Sequence, residues 1–209
     1  MLYDYVYNFR LRGAKAGPRS FFRYFFFMLR VFLGIDLNPE LKFKIEKVKS
    51  KNKLIDLPIK LVEAENSHIA LKFLDELKDW QIDQVIEKMT LVLKGVKGFF
   101  VAIDKCLIFP NFGNPRVLAL QVESQTLVDL GQKIFRELDK LQFVVKEERK
   151  YTPHVTLGRI KGKLTGSDKE KIAGIKFKVS FLVNTICLFA SGLSSVGPTY
   201  TVFKKWKLQ

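Results

Sequence analysis

Hydrophobic positions along this chain switch period repeatedly, from two to three or four and back, so strands and helices alternate. Residues 31–36 form an apolar run of strand length, and Asn38 followed by Pro39 supplies an N-cap and a first-turn proline for a helix. Leu41, Ile45 and Val48 then mark its buried stripe, with Lys and Glu outside it. Two strands follow at 59–62 and 68–74, and a second helix spans about 79–94. Ile82, Val85, Ile86, Met89 and Leu93 form the buried side of that helix, and Gly95 is its stop. A further strand covers about 98–109, ahead of a loop over 110–115.

The order then begins again. A strand starts at Arg116-Val117, Ser124 caps a helix striped by Leu127, Ile134, Leu138 and Leu141, and 143–145 reads as a strand. His154 sits on the next strand, Ser167-Asp-Lys-Glu170 reads as a capping box, and 175–188 reads as one long strand. A last strand, 200–206, follows the Gly197-Pro198 turn. One shift of 86 positions carries His68 onto His154, Arg30-Val31 onto Arg116-Val117 and Asn38 onto Ser124. The predicted fold is α+β, with two pseudo-twofold-related lobes in a bilobal domain over 28–209. Each lobe is an antiparallel sheet with helices packed on its outer side, and a cleft lies between them.

Ahead of this pattern, residues 1–27 hold Arg10, Arg12, Lys15, Arg19 and Arg23 against Asp4, with aromatics bunched at 21–27. Arg23 and Arg30 interrupt the apolar run, which argues against a membrane span, and no small-residue cleavage site precedes the first strand. The segment reads as a basic-aromatic arm for RNA or membrane, a disordered tail, or an extension upstream of a start at Met28. The last two are favoured, because Met28 immediately precedes a well-formed strand.

Composition narrows the chemistry. At 209 residues and 47% hydrophobic, the chain has ample material for one large domain or two small lobes. A net charge of +15 suits a polyanionic partner such as nucleic acid, although a soluble basic surface gives the same number. Cys106 and Cys187 are too few for a disulfide framework, and with only two histidines they cannot complete the usual Cys/His zinc site. The expectation is a monomeric cytoplasmic protein with reduced, buried thiols, no metal, no cofactor and no membrane association.

Both histidines sit in one local frame, His68-Ile-Ala-Leu and His154-Val-Thr-Leu. On a strand, alternation puts His68 with Ala70 and His154 with Thr156, opposite the aliphatic pairs Ile69/Leu71 and Val155/Leu157. Two imidazoles with unperturbed pKa near ~6.5 can act as base and acid at neutral pH, and a hydroxyl two residues on can donate to an anionic oxygen. A single such histidine is more often structural; the repeated frame favours catalysis. Ser191, Ser194 and Ser195 lack a nucleophile elbow, and no phosphate-cradling Gly-x-x-x-x-Gly-Lys loop is present. The acidic cluster Asp75, Glu76 and Asp79 reads as a turn and helix start, and Arg116 as structural.

His68-Ile-Ala-Leu-Lys-Phe-Leu74, Pro153-His-Val-Thr-Leu-Gly-Arg-Ile-Lys161, Phe109-Pro-Asn with Pro115-Arg-Val-Leu118, and Gly197-Pro-Thr-Tyr200 together resemble the 2H phosphoesterase superfamily. Within it they are most similar to the RNA 2',3'-cyclic phosphodiesterase family, historically called 2'-5' RNA ligase. The resemblance covers about 28–208. It implies a metal-independent hydrolase of 2',3'-cyclic phosphates on RNA or small nucleotides that leaves a 2'-phosphomonoester, with reversible 2'-5' ligation as an associated reaction. It casts His68 as acid toward the 3' oxygen and His154 as base on water, an order nothing in the sequence fixes. Thr156 and Arg159 are the implied phosphate binders. By strict alternation Arg159 falls on the buried side, so the strand must end or bulge near Gly158 for it to reach phosphate. Lys72 alternates onto the His68 face and is a second, weaker phosphate candidate.

The departure is Ala70, where the family expects Thr. One missing hydrogen bond to a charged group costs about 1.5–3 kcal/mol, roughly tenfold to a hundredfold in rate. Ser67 points to the opposite face and does not substitute. The alternative is therefore a nucleotide- or RNA-binding module with weakened turnover.

Overall fold

A computed structural model describes residues 28–193 and 198–209. The extension over 1–27 with its expected boundary at Met28, and Ser194, Ser195 and Gly197, lie outside the described residues. The elements are β1 (Met28–Asp36), α1 (Pro39–Lys51), β2 (Ile59–Leu61), β3 (His68–Lys78), α2 (Asp79–Leu93), β4 (Phe99–Pro110), β5 (Pro115–Glu123), α3 (Gln125–Leu138), β6 (His154–Ile160), α4 (Gly166–Ala173), β7 (Lys176–Val183), β8 (Thr185–Leu193) and β9 (Pro198–Lys207). The strands order as β7-β4-β5-β6-β3-β1-β8-β9, with β2 also on β6, and neighbours are antiparallel.

Local chemistry sets the helix ends. Asn38 Oδ1 accepts from the Leu41 N–H at 2.8 Å, with Pro39 in the first turn, and Ser124 Oγ accepts from the Leu127 N–H at 3.3 Å. Gly95, just past α2, adopts φ +76°, a conformation that only glycine takes without cost. Leu41, Ile45, Ile82, Val85, Met89, Leu127, Ile134 and Ile172 from the four helices are buried in the same core as Leu33, Ile35, Leu118, Leu120, Val155 and Leu157 from the strands. Helices therefore cover one side of the sheet. The other side carries a small aromatic cluster, Phe32, Phe189 and Tyr200 with Cys187 and Val202.

The sheet is two quartets joined at a single pair. β3 meets β6 only through Ile69 opposite Val155, and these two residues are themselves related by the 86-residue shift. A residue pair facing across antiparallel strands lies on a local twofold, so the pseudo-twofold of the fold runs through this contact. Beside it, β2 continues along the same edge of β6, with Lys60 opposite Arg159 and Leu61 opposite Gly158.

Several expectations are corrected. The lobes are not consecutive halves of the chain: β4, from the first repeat, pairs with β5 and β7, whereas β8, from the second, pairs with β1 and β9. The long strand expected over 175–188 accordingly breaks at Asn184, because its two parts belong to opposite ends of the sheet. Residues 143–145 form no strand; Val144 inserts into the core, Phe143 packs edge-on against Trp80, and the Val145 carbonyl accepts from Lys72 Nζ. Leu141 lies beyond the end of α3. The cap of α4 is Thr165, which shares a capping box with Asp168, two residues ahead of the expected Ser167. Finally, β1 and β5 correspond by 85 positions, since Asp36 faces His68 and Gln121 faces His154.

Gly158 is the close approach that lets β2 lie on β6. A Cβ there would stand 2.9 Å from Lys60 O and 2.5 Å from Ile59 Cγ2. Gly158→Ala is expected to lower stability by about 1–3 kcal/mol, and hydrogen exchange should localise the loss to residues 59–61. Unchanged urea midpoints would contradict this packing.

Candidate active site

Which side chains share the open face follows from the strands that keep strict alternation. Phe32, Gly34 and Asp36 on β1 stand opposite Phe73, Ala70 and His68, with Leu71 left over as the extra residue of β3. Val117, Ala119 and Gln121 on β5 stand opposite Arg159, Thr156 and His154, with Leu157 left over on β6. Directly opposed residues point to the same face, so His68, Ala70 and Phe73 form one row and His154, Thr156 and Arg159 the other. The two leftover leucines are β-bulges at equivalent positions, and each reverses the alternation beyond it. The bulge required near Gly158 for Arg159 to turn outward is therefore present.

Continuing the Ile69–Val155 register by one residue each way sets His68 beside Thr156 and Ala70 beside His154. The two histidines become diagonal neighbours, a relation that separates backbone positions by roughly 7–8 Å. His68 is near enough to His154 to feel its charge.

Their hydrogen bonds are also equivalent. His68 Nδ1 lies 2.7 Å from Asn66 O and His154 Nδ1 lies 2.8 Å from Thr152 O. A carbonyl only accepts, so each Nδ1 carries the proton and each Nε2 is left for a substrate.

The surroundings are not equivalent. His68 lies 4.7 Å from the Phe32 ring, 5.1 Å from Tyr200 and 6.0 Å from Phe189, centroid to centroid, whereas His154 has Phe109 at 4.8 Å. Burial among these rings pushes His68 below its ordinary pKa, the charge of His154 adds to that, and the hydrogen bond from Nδ1 to Asn66 O partly opposes it. Asp36 faces His68 but is held by Lys42 at 2.9 Å, whereas the equivalent place beside His154 is taken by neutral Gln121. A cavity of about 120 Å³ opens beside His68, lined by Asp36, Lys42, Asn66, Ser67, Phe189 and Tyr200 among others. The Ser67 hydroxyl in it is buried without a partner among the described residues. A larger hollow of about 520 Å³ lies at Trp80, Leu141 and Phe143 and contains neither histidine.

Comparison with known proteins decides the family. The family model of the 2'-5' RNA ligase superfamily matches residues 41–192. The chain belongs to that superfamily. A Methanocaldococcus jannaschii protein named RNA 2',3'-cyclic phosphodiesterase is 34% identical over 182 residues, covering 85% of this chain and 100% of that protein. The like-named protein of Methanothermobacter thermautotrophicus is 31% identical over 184 residues, covering 86% and 99%. E. coli LigT, in a crystal structure with 3'-AMP, superposes with a TM-score of 0.72 at 22% identity, covering 87% of this chain and 98% of that one. That superposition is evidence of a shared fold.

Of the site residues expected from sequence, this 2'-5' RNA ligase superfamily member brings His68, His154, Thr156 and Arg159 to one face. It does not bring Lys72 there. The bulge at Leu71 turns Lys72 to the core side opposite Leu33, where only 4% of it is exposed. Its Nζ donates to Asp139 Oδ1 at 2.8 Å and to Val145 O at 3.2 Å, above the Phe135 ring. Two residues of the open face escaped the sequence reading. Phe73, 64% exposed, stands where the shift of 86 places Arg159, and Lys60 faces Arg159 from β2. The one available signal for Phe73 was its place in the repeated frame. Among the described residues no helix is long and apolar enough to cross a membrane. Cys106 is half-buried and Cys187 buried; burial raises both thiols, that of Cys106 up to about 12, so neither is a ready nucleophile.

Because Lys72 serves the core, Lys72→Met is expected to lower stability by about 1–3 kcal/mol by stranding Asp139, which water partly reaches. The imidazole NMR titration of His68 should keep its wild-type midpoint, since Lys72 is not among the charges that act on it. A shifted midpoint would place Lys72 within reach of the site after all.

Proposed function

We propose that this protein hydrolyses RNA 2',3'-cyclic phosphate ends to 2'-phosphomonoesters, with His68 and His154 carrying both proton transfers and no metal ion. The reading rests chiefly on two equivalent imidazoles set diagonally on one face, each with its Nδ1 on a carbonyl and, among the described residues, no hydrogen-bond partner at Nε2. The names of the relatives support the substrate class. One imidazole takes a proton from water as its oxygen bonds to phosphorus; the other gives a proton to the 3' oxygen as the P–O3' bond breaks. Thr156 and Arg159 donate to the phosphoryl oxygens as charge builds on them. Burial favours the neutral form of His68 at pH 7, which suits the base, so we assign His68 to water and His154 to the leaving oxygen. That reverses the order suggested by the family resemblance. A ribose 5' hydroxyl in place of water would give the 2'-5' ligation product by the same steps.

Removing either ring by His68→Ala or His154→Ala is expected to lower kcat on a 2',3'-cyclic-phosphate oligonucleotide by about 10²–10⁴-fold, with the wild-type rate unaltered in EDTA. Wild-type turnover in the His154→Ala variant would end the assignment. A base must be unprotonated, so kcat/KM should rise with pH through an acid limb below ~6.5, the ordinary histidine value. An acid limb above that value would count against His68 as the base.

A second reading, a binding module with weak turnover, is favoured by Ala70, which leaves His154 without the hydroxyl that Thr156 gives His68. Ala70→Thr is expected to raise kcat roughly tenfold if that missing donor limits the rate. Tight binding of a 2'-phosphorylated nucleotide, with no product from wild type or Ala70→Thr, would favour the binding module over the hydrolase.

A further inference from the structure

Lys60 and Arg159 face each other directly across β2 and β6. Such positions place Cβ atoms about 4.5–5.5 Å apart, and like charges there repel. Both residues are exposed, as is Lys161, whose backbone N–H donates to Pro58 O at 2.7 Å and so extends the same ladder. Asp56, Glu63 and Glu65 lie close by in the chain, yet among the described residues none forms an ion pair with any of the three cations. Among the described residues the repulsion is thus uncompensated, at the end of the site where Arg159 and Thr156 stand. A cyclic phosphodiester carries one negative charge, which a single guanidinium and a hydroxyl satisfy. The further cations exceed what the reacting group needs.

We propose that Lys60, with Lys161 behind it, binds the internucleotide phosphate immediately upstream of the reacting end, so that the enzyme prefers oligonucleotide ends to mononucleotides. This rests on the hydrolase reading and specifies its substrate class. A second phosphate adjacent to the first neutralises the cation pair, and a chain with a net charge of +15 is suited to a polyanion. The register also explains why Lys60 sits on β2: beyond the bulge β5 lines one edge of β6 with Val117 beside Arg159, and β2 lines the other edge with Lys60.

The test compares adenosine 2',3'-cyclic phosphate with a trinucleotide ending in the same group, over a range of KCl concentrations. In Lys60→Ala the ratio of trinucleotide KM to mononucleotide KM is expected to rise about tenfold. The slope of log KM against log salt for the trinucleotide should shrink by about 0.7, the value for one phosphate contact on a single strand. Lys60→Arg, which keeps the charge, should hold both near wild type, and circular dichroism melting verifies that each variant is folded. Equal losses on both substrates would put Lys60 on the reacting phosphate, and no loss on either would leave it a surface charge; both outcomes overturn the proposal. Should wild type turn over neither substrate, the hydrolase reading fails on its own. Fluorescence anisotropy with a labelled 2'-phosphorylated trinucleotide then decides for Lys60: tenfold weaker binding in Lys60→Ala sustains the phosphate contact, and unchanged binding refutes it.

Discussion

The two quartets of strands meet through one backbone pair, Ile69 opposite Val155, and the open face is arranged around that contact. An antiparallel pair carries its own twofold axis, so whatever flanks Ile69 is repeated beside Val155 in the opposite direction. His68 and His154 precede the paired residues, and each binds a carbonyl two positions back. Both rings are thereby aimed by backbone alone. The bulges at Leu71 and Leu157 complete the arrangement, because each shifts the alternation by one residue, bringing Phe73 and Arg159 into the histidine rows and turning Lys72 and Gly158 to the other side.

Symmetry in the backbone leaves the side chains free to diverge. Thr156 answers to Ala70, Arg159 to Phe73, and Gly158 to Lys72. The last contrast is structural. Gly158 admits β2 with almost no clearance, whereas Lys72, turned inward by the same kind of bulge, must be satisfied by Asp139 and the Val145 carbonyl. Burying an ammonium without such partners would cost several kcal/mol. The irregular segment after α3 is therefore shaped partly by the need to deliver an acceptor to Lys72.

Much of this was readable in the chain. The helix caps at Asn38 and Ser124, the stripes behind them and the repeated histidine frame all rest on contacts a few residues apart, which local sequence encodes. What escaped depends on distant partners. Lys72 was placed by alternation on the histidine face, and only the pairing with β1 reveals the extra residue that turns it away. The exchange of β4 and β8 between lobes leaves no local trace, since a strand carries no mark of which neighbour it will find. An apolar run at 143–145 looks like a strand in isolation, yet in the fold Val144 goes into the core and the Val145 carbonyl is taken by Lys72, a partner 73 positions away. Lys60 lay outside the repeated frame altogether, and its partner is 99 positions away.

The two imidazoles owe their expected division of labour to what lies beneath and beside them. Under His68 the floor is Phe32, itself in contact with Phe73, Phe189 and Tyr200, so this ring is withdrawn from water. The carboxylate facing it, Asp36, could have restored a proton, but Lys42 already holds that charge. The equivalent place beside His154 is a neutral amide, and its floor is aliphatic, Val117 and Ala119, with one aromatic neighbour in Phe109. Desolvation therefore acts most on one member of an otherwise matched pair. Two groups of one chemical type can take opposite roles only when their environments separate them, and here the separation comes from apolar packing rather than from an added charge.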